Sequence, residues 1–514
     1  MTLIDAQRFI KGSPVGRFGE GMSEQGKGPV VIVRDETRVT SGIEVTSKLI
    51  YAAKTLASIL RGTLGPRGLD KGLYKTTGEF AVTSDGARVL NDLLIKNPGA
   101  KLLVSLGQSQ EAAIGDGVTS TVLFSGALLD EAGRLINKGV HPLVVVDGYL
   151  AAAKISVKSL EDSIIKCESD DIDTLVKVAS TSLTGRAGGS NEKFSTMLVD
   201  AVQIVSSRGD GDIESRFEDI LFDKFEDGDI NDTRMISGVF WRQRIPMERM
   251  AGRRENVGVA LLNCDIKQRE SKRDTEIELQ SAEDLGKFLQ IQEDNLTQMA
   301  ENILASGADI IVSSGEIERQ VLHRLAAAGK VVISDVHDNQ LVHLAKASGG
   351  TIVHHLQDLS ADNLGFAGHF EAERRQATEA VQDRIIFDKC EGGFATIVVG
   401  GSMAVEETIR GMYDSIRATT LALSSGEVIV GGGASHMVAA KAVKEEAEKV
   451  ADRTRLGMEA YARALEMIPW MLAANTGVNP LDALLELRAA VREGVPAAGI
   501  AGDGTIASMT DVLE

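Results

Sequence analysis

The sequence predicts a multidomain protein of the α+β or α/β class, in which largely helical parts accompany an α/β part. Its 514 residues suggest roughly three domains, and 43% of them are apolar, enough for several cores. In the first third of the chain, from Ile43 onwards, apolar residues recur at helical spacing. Between residues 308 and 353, short apolar runs alternate with helical stretches, a pattern typical of α/β structure.

Charge and cysteine content disfavour several classes of function. The chain has 55 Lys and Arg residues and 74 Asp and Glu residues, which gives a net charge of -19. This negative charge disfavours nucleic acid or an anionic membrane as a partner. Cys167, Cys264 and Cys390 are far apart and lack CxxC spacing, so neither a disulfide framework nor a zinc knuckle is predicted. We find neither a signal-peptide pattern nor an apolar run of membrane-spanning length. We therefore expect a soluble, cytoplasmic protein.

The segment from Ile43 to Leu60 is predicted to be a helix that ends in a tight turn. The turn is formed by residues 63–68 (TLGPRG), where glycine suits a left-handed cap and proline cannot continue the helical hydrogen bonds. It either only stops the helix or forms a backbone flap beside a nucleotide, with Gly65 permitting close approach. A second polar turn, Ser84-Asp85-Gly86, is predicted to open another helix.

The stretch from Ile114 to Thr121 (IGDGVTST) has the composition of a phosphate and magnesium site. Its two glycines allow a sharp turn, and the residues from Thr119 onwards open an apolar-periodic helix. The free N–H groups and the dipole at such a helix start attract anions. Asp116 offers the hard carboxylate oxygen that Mg²⁺ takes together with water and substrate phosphates. Gly-Asp-Gly alone is a weak signal, because such triplets usually mark ordinary turns.

The middle of the chain is predicted to alternate strands with helices. Strands are expected at residues 308–312, 330–333 and 351–353, and helices at 316–328 and 339–347.

The segment from Asp265 to Leu296 has two parts. Residues 266–274 are almost wholly polar or charged, which is typical of a solvated loop. A capping box at residues 281–284 (SAED) then starts a predicted helix. Its apolar face packs on a core unless it serves a binding role. That face comprises Leu285, Phe288, Leu289, Leu296, Met299 and Ile303.

The segment from Glu407 to Arg417 is predicted to be a helix with Arg410 and Asp414 one turn apart on one face. Such a pair is either a surface ion pair or a functional pair.

Several motifs in order resemble the group II chaperonins, the family that includes the thermosomes of archaea and the cytosolic chaperonin of eukaryotes. The resemblance extends from about Pro29 to the last residue. Its motifs are residues 63–71 (TLGPRGLDK), 83–87 (TSDGA), 115–120 (GDGVTS), 139–142 (GVHP), 237–239 (SGV), 431–434 (GGGA) and 466–480 (EMIPWMLAANTGVNP).

The resemblance implies a split domain organisation. Both ends of the chain would form a largely helical equatorial ATPase domain, and an intermediate hinge domain in two pieces would flank an α/β apical domain with a helical protrusion. That protrusion, the first half of the segment after Asp265, would serve as a built-in lid. The implied ranges are 1–164 (equatorial, with an extension at 1–28), 165–234 (intermediate), 235–386 (apical, substrate-binding and lid), 387–424 (intermediate) and 425–514 (equatorial).

The resemblance also implies a site for ATP and Mg²⁺. Asp116 would hold the metal and contribute to catalysis, and Asp414 would orient the attacking water. The implied nucleotide-binding residues are Thr63, Leu64, Gly65, Pro66, Asp85, Gly86, Gly117, Val118, Thr119, Ser120, Thr184, Gly185, Arg186, Gly432 and Glu514.

The sequence departs from the family pattern at four places. Val118 replaces a threonine whose hydroxyl would face phosphate, Arg186 replaces a lysine, and Ile409 stands where a glutamate is frequent. The family pattern continues beyond the acidic residue at 514 with a strand that pairs with the adjoining subunit, whereas this sequence stops at Glu514. Either the chain is cut there or the protein closes its rings differently.

The function implied is that of an ATP-hydrolysing chaperonin. It would form stacked rings of identical or paralogous subunits that enclose and fold non-native proteins, with no nucleic-acid or membrane partner. Two alternatives remain at this point. One is a ring scaffold or holdase that binds ATP with little or no productive hydrolysis. The other is a metabolic phosphotransferase that uses the same Gly-Asp-Gly turn, although the sequence offers no convergent acceptor site.

Overall fold

The computed structural model describes residues 43–74, 78, 80–185, 192–207, 216–225, 228–268, 282–376, 381–401 and 405–514. The chain divides into two compact units, residues 1–46 and 47–514. In the first unit the described residues are 43–46, which start a helix. The helical layer, the sheets and the pocket that are described below lie in the second unit. The predicted N-terminal extension, Arg186, Ser281 and most of the polar run after Asp265 lie outside the described residues.

Helices form most of both ends of the described chain. In chain order they are α1 (Ile43–Leu60), α2 (Gly86–Asp92), α3 (Pro98–Ala113), α4 (Val118–Asn137), α5 (Pro142–Glu161), α6 (Ile172–Leu183), α7 (Glu192–Ser206), α8 (Ala282–Ala305), α9 (Arg319–Ala327), α10 (Asp338–Ser348), α11 (Val405–Ser425), α12 (Ala434–Ala447), α13 (Thr454–Leu465), α14 (Met467–Thr476) and α15 (Pro480–Arg492).

Strands are concentrated in the middle of the chain. They are β1 (Lys71–Tyr74), β2 (Phe80–Thr83), β3 (Ile165–Lys166), β4 (Ile220–Phe225), β5 (Arg234–Ile236), β6 (Val239–Arg242), β7 (Gly252–Leu262), β8 (Ile310–Ser313), β9 (Val331–Ile333), β10 (Ile352–Val353), β11 (Gly365–Gln376), β12 (Val381–Asp388), β13 (Ala395–Gly400), β14 (Glu427–Val428), β15 (Ala498–Ile500) and β16 (Ile506–Ser508).

Local sequence fixes where the first helices begin. Asn97 caps α3 by accepting the Gly99 N–H at 2.8 Å, and proline fills the first helical position. Asp85 caps α2 by accepting the Ala87 N–H at 3.0 Å. Gly117, with φ 79°, precedes α4 in the left-handed conformation that glycine adopts without strain. The helices predicted at residues 43–60, after Gly86 and after Gly117 are therefore present.

The two ends of the chain share one helical layer. Buried side chains of α1 to α4 meet those of α12, α14 and α15, for example Val122 and Leu123 with Met437, Leu472 and Leu487. Because each helix is apolar on one face, neither end could bury that face without the other.

The middle of the chain forms a mixed sheet of seven strands. The order is β6-β12-β11-β7-β8-β9, with β10 paired to β7. Strands β8, β9 and β10 run parallel with their partners, whereas β11 and β12 pair antiparallel with their neighbours. Helices α8, α9 and α10 bury residues such as Ile303, Leu325 and Leu344 against the sheet. The predicted alternation of strands and helices between residues 308 and 353 is confirmed.

The residues of the apolar face predicted after Asp265 differ in burial along helix α8. Leu296 and Ile303 are buried in the core of the sheet layer and Met299 packs against it, whereas Leu289 is 55% exposed. The side chains of Leu285 and Phe288 are not described. The expected packing on a core therefore holds for the C-terminal half of the helix.

A smaller layer connects the other two. Strands β4, β13 and β5 form a three-stranded sheet, and α7 and α11 pack on it through a common core that includes Phe194, Ile397 and Met412. Helix α6 packs against α11, and the Ser415 hydroxyl donates to the Ala179 carbonyl at 3.0 Å. Helix α11 thus extends from this layer towards the helical one.

Candidate functional site

A pocket of about 750 Å³ lies between the helical layer and helices α6 and α11. Most of the predicted site residues line it: Thr63, Leu64, Gly65, Asp85, Gly86, Asp116, Gly117, Val118, Thr119, Ser120, Thr184, Gly185, Asp414 and Glu514. Pro66 and Gly432 are not among the lining residues. Pro66 lies against Gly185 at the rim, and Gly432 packs on Met509 and accepts the Ile500 N–H at 3.0 Å.

Glycines bring the loops of the pocket into contact. A Cβ atom on Gly185 would lie 2.8 Å from the Gly65 carbonyl oxygen, and both glycines have positive φ, 83° and 82°. A Cβ atom on Gly86 would lie 2.4 Å from the Thr119 hydroxyl oxygen. Real Cβ atoms do not approach other atoms so closely, so side-chain-free residues are needed where these turns meet.

Asp116 occupies the turn before α4 with its carboxylate held on both oxygens. Oδ1 accepts the N–H of Gly117 at 2.7 Å, and Oδ2 accepts the hydroxyl of Ser182 at 2.7 Å. The Asp116 carbonyl oxygen accepts the Gln110 side-chain amide at 3.1 Å. The turn therefore presents a fixed carboxylate beside the free N–H groups of a helix start.

Helix α11 docks on the turn between β2 and α2. Arg410 donates to Asp85 Oδ2 at 3.0 Å. The carboxylate of Glu407 accepts the Thr83 hydroxyl at 3.0 Å and the Ser84 N–H at 3.3 Å. Asp414, one turn beyond Arg410, lines the pocket and is only 9% exposed, which does not fit a solvated surface ion pair.

The pocket concentrates negative charge. Burial raises the pKa of Glu111, and the Asp85 carboxylate raises it further, while Arg410 and Arg417 oppose the rise. Burial also raises the pKa of Glu514, with the Asp116 carboxylate as the second cause and the Gly432 backbone as an opposing one. As a whole residue Glu514 is exposed, so this rise reflects crowding of its carboxylate in a concave site.

This arrangement fits a divalent cation that arrives with an anionic ligand. The repulsion between the Asp116 and Glu514 carboxylates would be relieved by a positive ion between or beside them. Among the described residues there is no cluster of three His, Cys, Asp or Glu side chains arranged to hold a metal. Mg²⁺ commonly binds through one or two carboxylates together with water and phosphate oxygens, and Asp116 would be such a carboxylate.

Comparison with known proteins identifies the family. The model of the TCP-1/cpn60 chaperonin family matches residues 56–514. The chain belongs to this family.

Thermosome subunits of archaea are among the relatives of this chaperonin. It is 32% identical to thermosome subunit beta of Archaeoglobus fulgidus over 488 residues, which cover 94% of this chain and 89% of the relative. It is 34% identical to the thermosome subunit of Methanocaldococcus jannaschii, with 95% and 89% covered, and 33% identical to that of Pyrococcus abyssi, with 92% and 86% covered. These matches confirm a group II chaperonin with the predicted mixed fold, and they support a chaperone role.

Two departures from the family pattern have a structural explanation in this chaperonin. Val118 lines the pocket, but its side chain is only 5% exposed and packs in the helical core, so a valine is accommodated at this position. Ile409 packs against the core of the connecting layer. Both apolar side chains therefore have packing partners in this structure.

Residues 512–514 form backbone hydrogen bonds with residues 429–431 beside the pocket. Ile429 and Glu514 exchange two backbone hydrogen bonds of 2.9 Å, and the Gly431 N–H donates to the Val512 carbonyl at 2.8 Å. These bonds hold Glu514 at the pocket wall.

Several residues of the chaperonin pocket were not predicted. Ser182, Glu111 and Gln110 are polar lining residues whose partners or charges are described above. Apolar lining residues that were not predicted include Val157, Leu160, Ile164, Leu421 and Ile429. A sequence signal near Ser182 was the predicted Thr184-Gly185 pair, which begins two residues later. Of the described helices, none combines the length and apolarity needed to cross a membrane.

Proposed function

We propose that this chaperonin subunit binds ATP with Mg²⁺ in the pocket and hydrolyses it to move a built-in lid. In this proposal the subunit works in stacked rings of identical or paralogous subunits in the cytoplasm, and the rings enclose non-native proteins and help them fold. The observation that carries the proposal is that Asp116 and Asp414 line one pocket, although one precedes α4 and the other lies on α11. A metal-binding carboxylate and a second carboxylate are what phosphoryl transfer to water requires.

The helical layer would hold the nucleotide. The N–H groups at the start of α4, with the hydroxyls of Thr119 and Ser120, would bind phosphate oxygens. The backbone at Gly65 and Gly185 would close over them because these glycines leave room. Asp116 would hold Mg²⁺, which neutralises phosphate charge as hydrolysis proceeds.

Helix α11 would make hydrolysis depend on domain closure. Asp414 would accept a hydrogen bond from the attacking water and orient it. Its position depends on the docking of α11 through Glu407 and Arg410 on the turn at Thr83 to Asp85. ATP binding would favour this docked state, and release of products would favour opening.

We assign the layers to the domains of this cycle as follows. The helical layer is the equatorial domain, the connecting layer the intermediate domain, and the seven-stranded sheet with its helices the apical domain. The ranges proposed are 1–164 and 425–514, 165–234 and 387–424, and 235–386.

The proposal is tested by phosphate release and particle mass in the presence of Mg-ATP. Turnover that requires Mg²⁺, on a particle of ring size, is the expected result. Nucleotide binding with turnover at background would instead support a ring scaffold or holdase. A monomer without turnover would contradict both functions.

Replacing Gly185 by alanine is expected to weaken ADP binding about 10-fold. The loop is expected to relieve the positive-φ strain of an alanine, about 1–2 kcal/mol, by moving away from the geometry that binds nucleotide; restoring that geometry at a cost of about 1.4 kcal/mol lowers the affinity by that factor. In addition, the new Cβ would meet the Gly65 carbonyl and separate the loops. Calorimetric titration with Mg-ADP measures the change.

Gly307→Ala is the matched control, because Gly307 has φ 82° but open space around the position of a Cβ. It imposes similar strain far from the pocket. Equal ADP affinities for Gly185→Ala and Gly307→Ala would show that the contact between the two loops does not matter for binding.

A further inference from the structure

Ser182 links the connecting layer to the proposed metal ligand. It lies in the last turn of α6, and its hydroxyl donates to Asp116 Oδ2 at 2.7 Å. The other oxygen, Oδ1, accepts the N–H of the next residue, Gly117, at 2.7 Å. The Gly117 bond belongs to the turn itself, whereas the Ser182 bond reaches the carboxylate from another part of the chain.

The same helix also accepts a hydrogen bond from the residue that follows Asp414, the second carboxylate of the pocket. Ala179, one turn before Ser182, accepts the hydroxyl of Ser415 on α11 at 3.0 Å. Ser415 directly follows Asp414 in the chain. Helix α6 therefore contacts Asp116 and the side chain of the residue that follows Asp414, so its position bears on the two carboxylates together.

We propose that Ser182 is a positioning residue that orients the Asp116 carboxylate as a ligand for the magnesium ion of a Mg-nucleotide. This inference rests on the proposed function. A carboxylate has about four lone-pair positions, so hydrogen bonds accepted on both oxygens fix its plane and with it the direction in which it meets a cation. Hydrogen bonds that orient a metal ligand typically contribute 10- to 100-fold to metal affinity. The contribution of Ser182 is available while α6 is docked, which couples metal binding to the connecting layer.

The test compares ADP affinity measured by calorimetry with Mg²⁺ and with EDTA. The ratio of the two affinities reports the metal contribution and does not require turnover. In Ser182→Ala we expect this ratio to fall about 10- to 100-fold, with the affinity in EDTA unchanged, which also shows that the pocket is folded. Ser182→Thr keeps the hydroxyl and is expected to restore most of the ratio.

Ser180→Ala is the matched control. Ser180 lies two residues earlier on α6, is half-buried and is not a lining residue of the pocket. Its removal is expected to leave the ratio at the parent value. A general loosening of α6 would lower the ratio in both alanine variants and not be restored by threonine, and this result would contradict a positioning role.

The remaining outcomes separate this inference from the proposed function. If Mg²⁺ raises the ADP affinity of the parent chain and of Ser182→Ala by the same factor, the role assigned to Ser182 is wrong while the proposed function stands. A larger gain in Ser182→Ala would mean that the hydroxyl competes with the ion, which also overturns the proposal. No gain in the parent chain would overturn both.

Discussion

Replacing Asp414 by alanine is expected to slow ATP hydrolysis by roughly 10²- to 10⁴-fold, the usual contribution of a positioned proton acceptor. Nucleotide binding should stay close to that of the parent chain, because the proposed phosphate and metal ligands lie on the helical layer. Asp414 belongs to α11 and lines the pocket from the opposite side. Single-turnover hydrolysis together with ADP titration measures the two quantities separately.

Glu406→Gln is the control for the Asp414 variant. Glu406 lies on the same helix, is exposed, and pairs with Lys224 at 2.6 Å away from the pocket lining. Losing this exposed ion pair should leave the rate of hydrolysis at the parent value. Hydrolysis by Asp414→Ala at the parent rate would remove Asp414 from the mechanism.

Replacing Asp116 by alanine is expected to reduce Mg²⁺-dependent turnover by roughly 10²-fold or more, because a bound metal contributes several kcal/mol to stabilising a transition state. The Mg²⁺-dependent gain in ADP affinity should disappear as well. This variant therefore loses binding and turnover together, whereas Asp414→Ala loses turnover alone. Titrations with Mg²⁺ and with EDTA, followed by phosphate-release assays, distinguish the two patterns.

Asp130→Asn is the corresponding control on α4. Asp130 forms ion pairs with Lys54 and Arg134 and does not line the pocket. Its substitution should change neither metal dependence nor rate. If Asp116→Ala keeps the Mg²⁺-dependent gain, another group holds the ion and the proposed metal site is wrong.

Elements with strong local patterns could be predicted from the sequence. Helix α1 and the strands β8, β9 and β10 lie where periodicity and turn residues placed them, because each signal is contained within a few consecutive residues. Helix α11 was likewise predicted, but its length beyond Arg417 was not, since Ala418 to Ser425 continue without a motif.

For the site residues too, local interactions could be predicted from the sequence and distant ones could not. Asp116 and Thr119 were predictable because they share one short turn. Ser182 was missed because its partner Asp116 is distant in sequence, and no spacing rule connects them. The Arg410 partner was missed for the same reason, since it is Asp85 in the first third of the chain.

The packing of Val118 could not be predicted from the sequence. A threonine motif in sequence suggested a hydroxyl directed at phosphate. Val118, at the first position of α4, lines the pocket and is also packed in the helical core close to Gly107. Side-chain direction at a helix start depends on the angle at which the helix meets its neighbours, and the motif does not contain that angle.

The helical layer built from both ends of the chain also sets an order of events on the ribosome. Residues 239 to 388 contain all the strands of the seven-stranded sheet and can fold as soon as that stretch has emerged. The apolar faces of α1 to α4 are synthesised before the sheet, but they can be buried only when α12, α14 and α15, which follow the sheet in the sequence, have been synthesised. During that interval the nascent chain exposes the kind of surface that chaperones bind. The pocket is complete only when the segment that ends at Glu514 has joined the helical layer, so nucleotide binding is expected to follow the packing of the two parts of this layer.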